Sequence, residues 1–269
     1  MADEELQIIE SYRNAEDALY AVSGMVLLSF ARNDYDTKNI IIRNFVARSA
    51  MTLKSIFTLW DNNDFHNAWV IHRALIDRMF HLHSIGNNDE FLAFDDWSFF
   101  EQYKAQNRVK SDEVFKNQAN GGIYDLSDVQ KVRIRDLEKK KPNWKRPKAE
   151  TVAKKMGMEF LYKYGYDYGS MHVHPMANDG DQDFYTITKL DPALRFPSHI
   201  AVISNTILAS SMILQDAINH SDFKWRKVLW DFIDELREVL VNGSPSYQQS
   251  FIKLAHLFKE QGICEPSTA

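Results

Sequence analysis

The feature that most constrains this chain is the recurrence of apolar residues every three or four positions, in stretches of about twenty to thirty residues parted by short polar breaks. Residues 37–61 show it plainly, with Ile41, Phe45, Ala50, Leu53, Phe57 and Trp60 on one side of a helical repeat. The same period predicts further helices over about 3–32, 65–85, 88–118, 126–140, 150–174, 198–219, 222–241 and 245–261. Ten Gly and seven Pro in 269 residues are too few for a sheet built on many tight turns. The expectation is a single all-α domain, a bundle of eight to nine helices without substantial sheet, with a core that its 45% hydrophobic content can fill.

The breaks carry their own chemistry. Asn62, Asn63 and Asp64 stop one helix and cap the next, because short polar side chains accept the free N–H groups of a first turn. Gly121-Gly122 closes the fourth helical stretch, Pro142 and Pro147 break the basic one, and Gly243-Ser244 parts the last two. The acidic run MANDGDQDF and the following ITKLDPALRFP read as loop and irregular or extended connection. No internal repeat or low-complexity tract appears.

Several classes are disfavoured. The single cysteine, Cys264, lies in a polar tail at about 262–269, so one chain has neither a disulfide framework nor a thiolate zinc site. The acidic start MADEELQIIE has no signal-peptide pattern, and GMVLLSFA is too short to span a bilayer. The expected location is the cytoplasm, without membrane attachment. Walker, dinucleotide, nucleophile-elbow and His-Glu-x-x-His signatures are missing. A metal site assembled from Asp77, His81, His172, His174 and Asp179 is conceivable, but the Glu-x-x-His pairs of di-iron bundles are lacking, and no metal or cofactor is assigned.

Two polar clusters interrupt the apolar pattern. In HRALIDRMFHLH, Arg73, Asp77 and His81 are spaced by four and share a helical face. In YKYGYDYGSMHVHP, Tyr164, Tyr168 and His172 are spaced by four, and Ser170 and His174 align with each other. Burying such groups is costly unless they find partners, so the clusters are expected to meet across some ninety residues of chain. A Tyr, Ser and His group beside an Arg and an Asp suits general acid–base chemistry or phosphate binding, with Arg73, Asp77, Tyr168, Ser170, His172 and His174 as candidates. The same residues also suit a structural network that only ties helices together.

A third feature is charge. Residues 130–155 hold eleven Lys and Arg against three acids, a local excess of eight on a chain of net charge −5, which leaves −13 for the remainder. Arg133, Arg135, Lys139, Lys140, Lys141, Lys145 and Arg146 are the candidate contacts to nucleic acid. The bland alternative is a solvated helix and linker, with Trp144 pinning a loop rather than stacking on a base.

The pattern FHNAWVIHRALIDRMFHL, followed by Asn143-Trp144 and then by a Tyr-x-x-x-Tyr-x-Ser-x-x-x-His-Pro run, resembles the bacterial domain-of-unknown-function family 5677 over about residues 40–180. The marks of that family fall on Ala68, Arg73, Asp77, Tyr164, Tyr168, Ser170, His174 and Pro175; its acid is typically Glu, and Asp77 is one methylene shorter. The resemblance implies a site rather than a reaction. Arg78 and His83 form an Arg-x-x-x-x-His pattern similar to that of HEPN ribonucleases, all-helical proteins of toxin and antiviral systems that cleave RNA without metal, usually across a dimer. Here Met79 stands where that family commonly has a polar residue. Five residues of regular helix also set two side chains about 140° apart.

The leading expectation is a nuclease-like effector acting on RNA or a nucleotide by metal-independent acid–base chemistry, with antiviral defence or toxin activity, a homodimer and a defence-system partner implied by the HEPN resemblance. The alternatives are a non-catalytic helical interaction module and a metal-dependent hydrolase.

Overall fold

The computed structural model describes residues 2–31, 36–114, 126–174, 176–177, 180–190, 199–221, 223 and 225–260. Gly121-Gly122, Pro175, Asp179 and Cys264 lie outside the described residues. The helices are α1 (Ala2–Ala31), α2 (Thr37–Asp61), α3 (Phe65–Asn87), α4 (Phe91–Ser111), α5 (Asp128–Lys140), α6 (Ala149–Met156), α7 (Glu159–Leu161), a π-helical turn (Tyr162–Asp167), α8 (Tyr168–Met171), α9 (Asp181–Thr188), α10 (Ile200–Asn219), α11 (Arg226–Asn242) and α12 (Tyr247–Glu260). No strand occurs among the described residues, so the architecture is all-α.

The helical segments exceed the eight to nine expected for two reasons. First, residues 150–174 are not one helix. Gly157 takes a left-handed backbone (φ 67°) and ends α6, and the π turn then parts α7 from α8. Second, the acidic stretch expected to be loop forms α9, with Asp181 and Asp183 in its first turn, where carboxylates favour the positive end of the helix dipole. Elsewhere the polar breaks act as read. Asp64 caps α3 by accepting from the Asn67 backbone N–H at 3.2 Å. Ser127 and Gln130 form a reciprocal capping box on α5, and left-handed Gly243 ends α11.

α1, α2, α3 and α10 pack together as the central bundle, and α11 and α12 pair with each other against α1 and α10. Leu19, Ile42, Leu53, Leu75, Met79, Ile207 and Phe232 are fully buried between them. Among the described residues, Ile200–Asn219 alone is long and apolar enough to cross a membrane, but 61% of that span is buried inside the molecule as the bundle's central α10. A second layer covers α3 and α2. α6 and the π-interrupted run to α8 lie on α3, α4 packs on α2 and α3, and the basic helix α5 reaches the bundle through α4.

Candidate functional site

α3 presents two faces. His72, Leu75, Ile76 and Met79 turn inward, while His66, Trp69, Arg73, Asp77 and His81 recur every three or four residues. At 3.6 residues per turn these five positions span an arc of about 120°. The run 159–171 covers the upper part of that arc, and the Trp144–Arg146 loop meets the lower part. The upper cover comes close because two glycines face α3. A Cβ at Gly165 would lie 2.5 Å from Ile76 Cδ1, and one at Gly169 would lie 2.9 Å from both Arg73 Cβ and the Trp69 carbonyl oxygen. At Gly169 no other residue type fits without moving a backbone.

This approach brings the two polar clusters together at Arg73. Its Nε donates to Ser170 Oγ at 2.7 Å, one Nη donates to the Tyr166 hydroxyl at 3.1 Å, and the guanidinium lies 4.6 Å over the Tyr166 ring. Ser170 in turn donates to the Tyr166 carbonyl at 2.8 Å. The expected meeting of clusters is therefore present, but the partner tyrosine is Tyr166. Tyr166, four residues before Ser170, shares its side of the run, whereas Tyr164 faces outward against Phe160 and Tyr168 turns onto Trp69. Nor does Asp77 pair with Arg73. It lies 4.0 Å from Arg146 and 4.0 Å from His81 Nε2. The latter separation is too long for a hydrogen bond, and burial lowers the His81 pKa despite Asp77's opposing pull.

At the N-terminal end of the arc a cavity of about 300 Å³ opens between α3, α8, α9 and the start of α10. Its inner wall holds His66, Trp69, Tyr168, His172 and His199, and its rim holds exposed Asp181 and Asp183. His66 Nδ1 and His172 Nδ1 face each other at 3.3 Å with their rings at 88°. Tyr168 packs edge-on between Trp69 and His172 and fixes the imidazole from behind. Trp69 Nε1 donates to His199 Nδ1 at 3.2 Å, so the neutral tautomer of His199 carries its proton on Nε2, and burial lowers its pKa. His199 has a left-handed backbone (φ 50°). That conformation is costly for a residue with a Cβ. Among the described residues no three His, Cys, Asp or Glu side chains gather at metal-ligand distance.

The remaining predicted residues fall elsewhere. His174 is exposed beyond α8, and the contacts of Arg73 with Ser170 and Tyr166 and of Asp77 with His81 and Arg146 do not include it. Arg78 and His83 diverge as their spacing requires. Burial lowers the Arg78 pKa, repulsion from nearby Arg48 adds to the shift, and His83 Nδ1 pairs with Asp216 at 3.2 Å. Arg133 is engaged within the protein: its Nη2 bridges Asp95 and Asp96 at 2.6 Å each and its guanidinium lies over Phe99 at 4.5 Å. Arg135, Lys139, Lys140, Lys141, Lys145 and Arg146 are exposed. Trp144 pins its loop, buried against Phe94 and Trp97 with Nε1 donating to Glu90 at 3.1 Å. The sequence clusters leave out three site residues, His66, Tyr166 and His199. His66 stands two helical turns before Arg73 on the same face, which is a usable signal; His199 has none.

A family model described as "Family of unknown function (DUF5677)" matches residues 39–185, more than half of the chain and the whole of the α3 face with its 159–171 cover. No curated protein and no solved structure matches.

Proposed function

Because the chain belongs to the family of unknown function DUF5677, whose description carries no reaction, we propose its function from the site itself: hydrolysis of a phosphate ester in RNA or a nucleotide by side-chain acid–base chemistry. The observation that carries this reading is the His66–His172 pair, at 3.3 Å in an open cavity of about 300 Å³. The neutral imidazole of His66 takes the proton of the attacking water or ribose hydroxyl as the new P–O bond forms. His66 returns that proton to the departing oxygen as the old bond breaks, while His172, whose Nε2 is buried in the wall, holds His66 through the Nδ1–Nδ1 contact, so the pair ends with the protons it began with. Arg73 lies seven residues, about 10 Å, further along the same face and offers positive charge to the chain beyond the reacting phosphate. Asp181 and Asp183 repel a polyanion on the opposite rim, so the substrate enters from the side of Arg73, Lys145 and Arg146.

One observation favours a second reading, a non-catalytic helical module. Arg73 already satisfies Ser170 and Tyr166 and so ties α8 to α3. A cleavage assay on labelled single-stranded RNA separates the two. His66→Ala and His172→Ala are each expected to slow cleavage by about 100-fold or more while circular dichroism and melting stay near wild type. If the wild-type protein leaves RNA and nucleotides intact, or either variant cleaves at the wild-type rate, the hydrolase reading falls.

A further inference from the structure

α4 is unusual for a helix that packs on the bundle. It carries Phe91, Phe94, Trp97, Phe99, Phe100 and Tyr103, yet of its 21 residues only Phe91 is buried. Phe94 and Phe99 are occupied, by Trp144 and by the Arg133 guanidinium. Trp97 and Phe100 are half-buried: Trp97 packs on Phe94 and Trp144 with one side left open, and the Lys104 ammonium lies 5.2 Å over the Phe100 ring. They line a groove of about 320 Å³ with Lys104, Lys141, Pro142 and the edge of Trp144. Glu101 and Glu138 also line it, and Glu101 is ion-paired with Lys104. Lys139, Lys140 and Lys145, next in the chain to lining residues Glu138, Lys141 and Trp144, are exposed. Lys141 itself has a left-handed backbone (φ 53°) where the chain turns from α5 into the loop.

We propose that this groove binds one unpaired nucleotide of a single-stranded RNA, its base stacked on Trp97 and Phe100 and its phosphates held by Lys141 and the neighbouring lysines. The occupant follows from the pairing of features. Half-exposed aromatic faces accept any base, and a basic margin on a chain of net charge −5 selects a polyanion over an ordinary protein surface. The volume sits at the low end of ligand pockets, near one nucleotide. The same loop that carries Lys145 places Arg146 4.0 Å from Asp77 on the α3 face, so a strand leaving the groove is already directed toward that face. This inference deepens the hydrolase reading and rests on it only for the choice of RNA as the strand.

The test is binding, not cleavage. Fluorescence anisotropy of a labelled, 2′-O-methylated single-stranded oligoribonucleotide, which resists cleavage through the 2′ position, is measured against wild type, Trp97→Ala, Trp97→Phe, Phe100→Ala and Lys141→Gln. Loss of a stacked base predicts binding weaker by about 5- to 150-fold in Trp97→Ala and Phe100→Ala, and near-wild-type affinity in Trp97→Phe. Lys141→Gln lowers affinity and reduces the slope of log K against log salt by about one. Equal affinity of wild type, Trp97→Ala and Phe100→Ala overturns the proposal. So does a dimer, seen by sedimentation, that Phe100→Ala splits without change in oligonucleotide affinity, since the face would then be an interface between copies of the chain. Wild-type binding without any cleavage of unmodified RNA sinks the hydrolase reading alone, whereas cleavage that both aromatic variants leave untouched, in KM as well as in binding, sinks the groove alone.

Discussion

His72 makes the stability of this fold pH-dependent in a calculable way. Thr206 donates its hydroxyl proton to the Val202 carbonyl at 2.6 Å, so at 2.9 Å from His72 Nδ1 it acts as acceptor, and the imidazole proton must sit on Nδ1. Nε2 is then a bare lone pair with no hydrogen-bond partner, enclosed at 0% exposure beside Gly165 and the edge of Trp69. Protonating it would create a buried cation with a donor aimed at nothing, and burial drives the His72 pKa down from 6.5 to about 3. The unfolded chain therefore takes up a proton near pH 6.5 that the folded chain refuses. The contribution of His72 is fully present above pH 6.5 and is lost as pH falls from there toward 3, at about 1.4 kcal/mol per unit. Between pH 7 and pH 5 the loss is about 2 kcal/mol. Burial lowers the pKa of His81, His199 and His220 too, with the same sign, so the comparison must be differential. His72→Asn keeps an amide near the Nδ1 position and removes the titrating ring. Urea unfolding of both proteins at pH 7 and pH 5 should show wild type losing about 2 kcal/mol more than the variant, roughly 0.7 M in midpoint for a slope of about 3 kcal/mol/M. Equal losses in the two proteins would refute the assignment of a bare, buried Nε2.

Glycines give predictions of opposite sign. Gly169→Ala forces a methyl to 2.9 Å from the Trp69 carbonyl oxygen, and should cost about 1–3 kcal/mol by loosening α8 from α3. Gly24→Ala meets nothing within 4 Å inside α1, and should stabilise by about 0.5–1 kcal/mol. Thermal melts of the two variants check both signs. Trp144→Ala should cost about 3 kcal/mol or more in urea unfolding, because it empties a site between Phe94, Trp97 and His81 and takes from Glu90 its hydrogen-bond donor. A loss below about 1 kcal/mol, less than a lost buried hydrogen bond and cavity together, would mean that the loop is held by something other than its tryptophan.

The helices are legible in the sequence because their signals are local: apolar period, Asp64 as a cap and Gly243-Ser244 as a break; Gly157, a single glycine inside a helical pattern, gives no such sign although it ends α6. α9 escapes such reading because its run of polar and acidic residues mimics a loop, while its first-turn carboxylates are what a helix start prefers. At the site, residues 65–81 mark the right face of α3, and the meeting of Arg73 with Ser170 follows from the cost of burying both. The tyrosine comes out wrong because Tyr166, not Tyr168, stands four residues before Ser170 and so shares its side of the run. Gly165 and Gly169, four apart, are the visible trace of a close helix approach. Nothing in the local sequence pairs His66 with His172 or brings His199 to Trp69.

The same division between inner and outer faces says which part of the site is free to move. α3 is gripped on its inner side by α2 and α10, with His72 fastened to Thr206 on α10, so the helix is fixed to the bundle. Its outer side is joined to the 159–171 run through Arg73–Ser170–Tyr166, His66–His172 and Trp69–Tyr168, contacts that are polar or edge-on and partly wetted. The cover is short and interrupted by the π turn, and among its residues Leu161 is its fully buried apolar anchor, which places it among the less strongly held parts of the molecule. A ligand entering the His66–His172 cavity touches His66 and Trp69 on α3 as well as the cover, and the cover is the side that yields. Adjustment on binding should therefore appear as changed hydrogen-exchange protection in 159–171, with the amides of α3 and α10 unaltered.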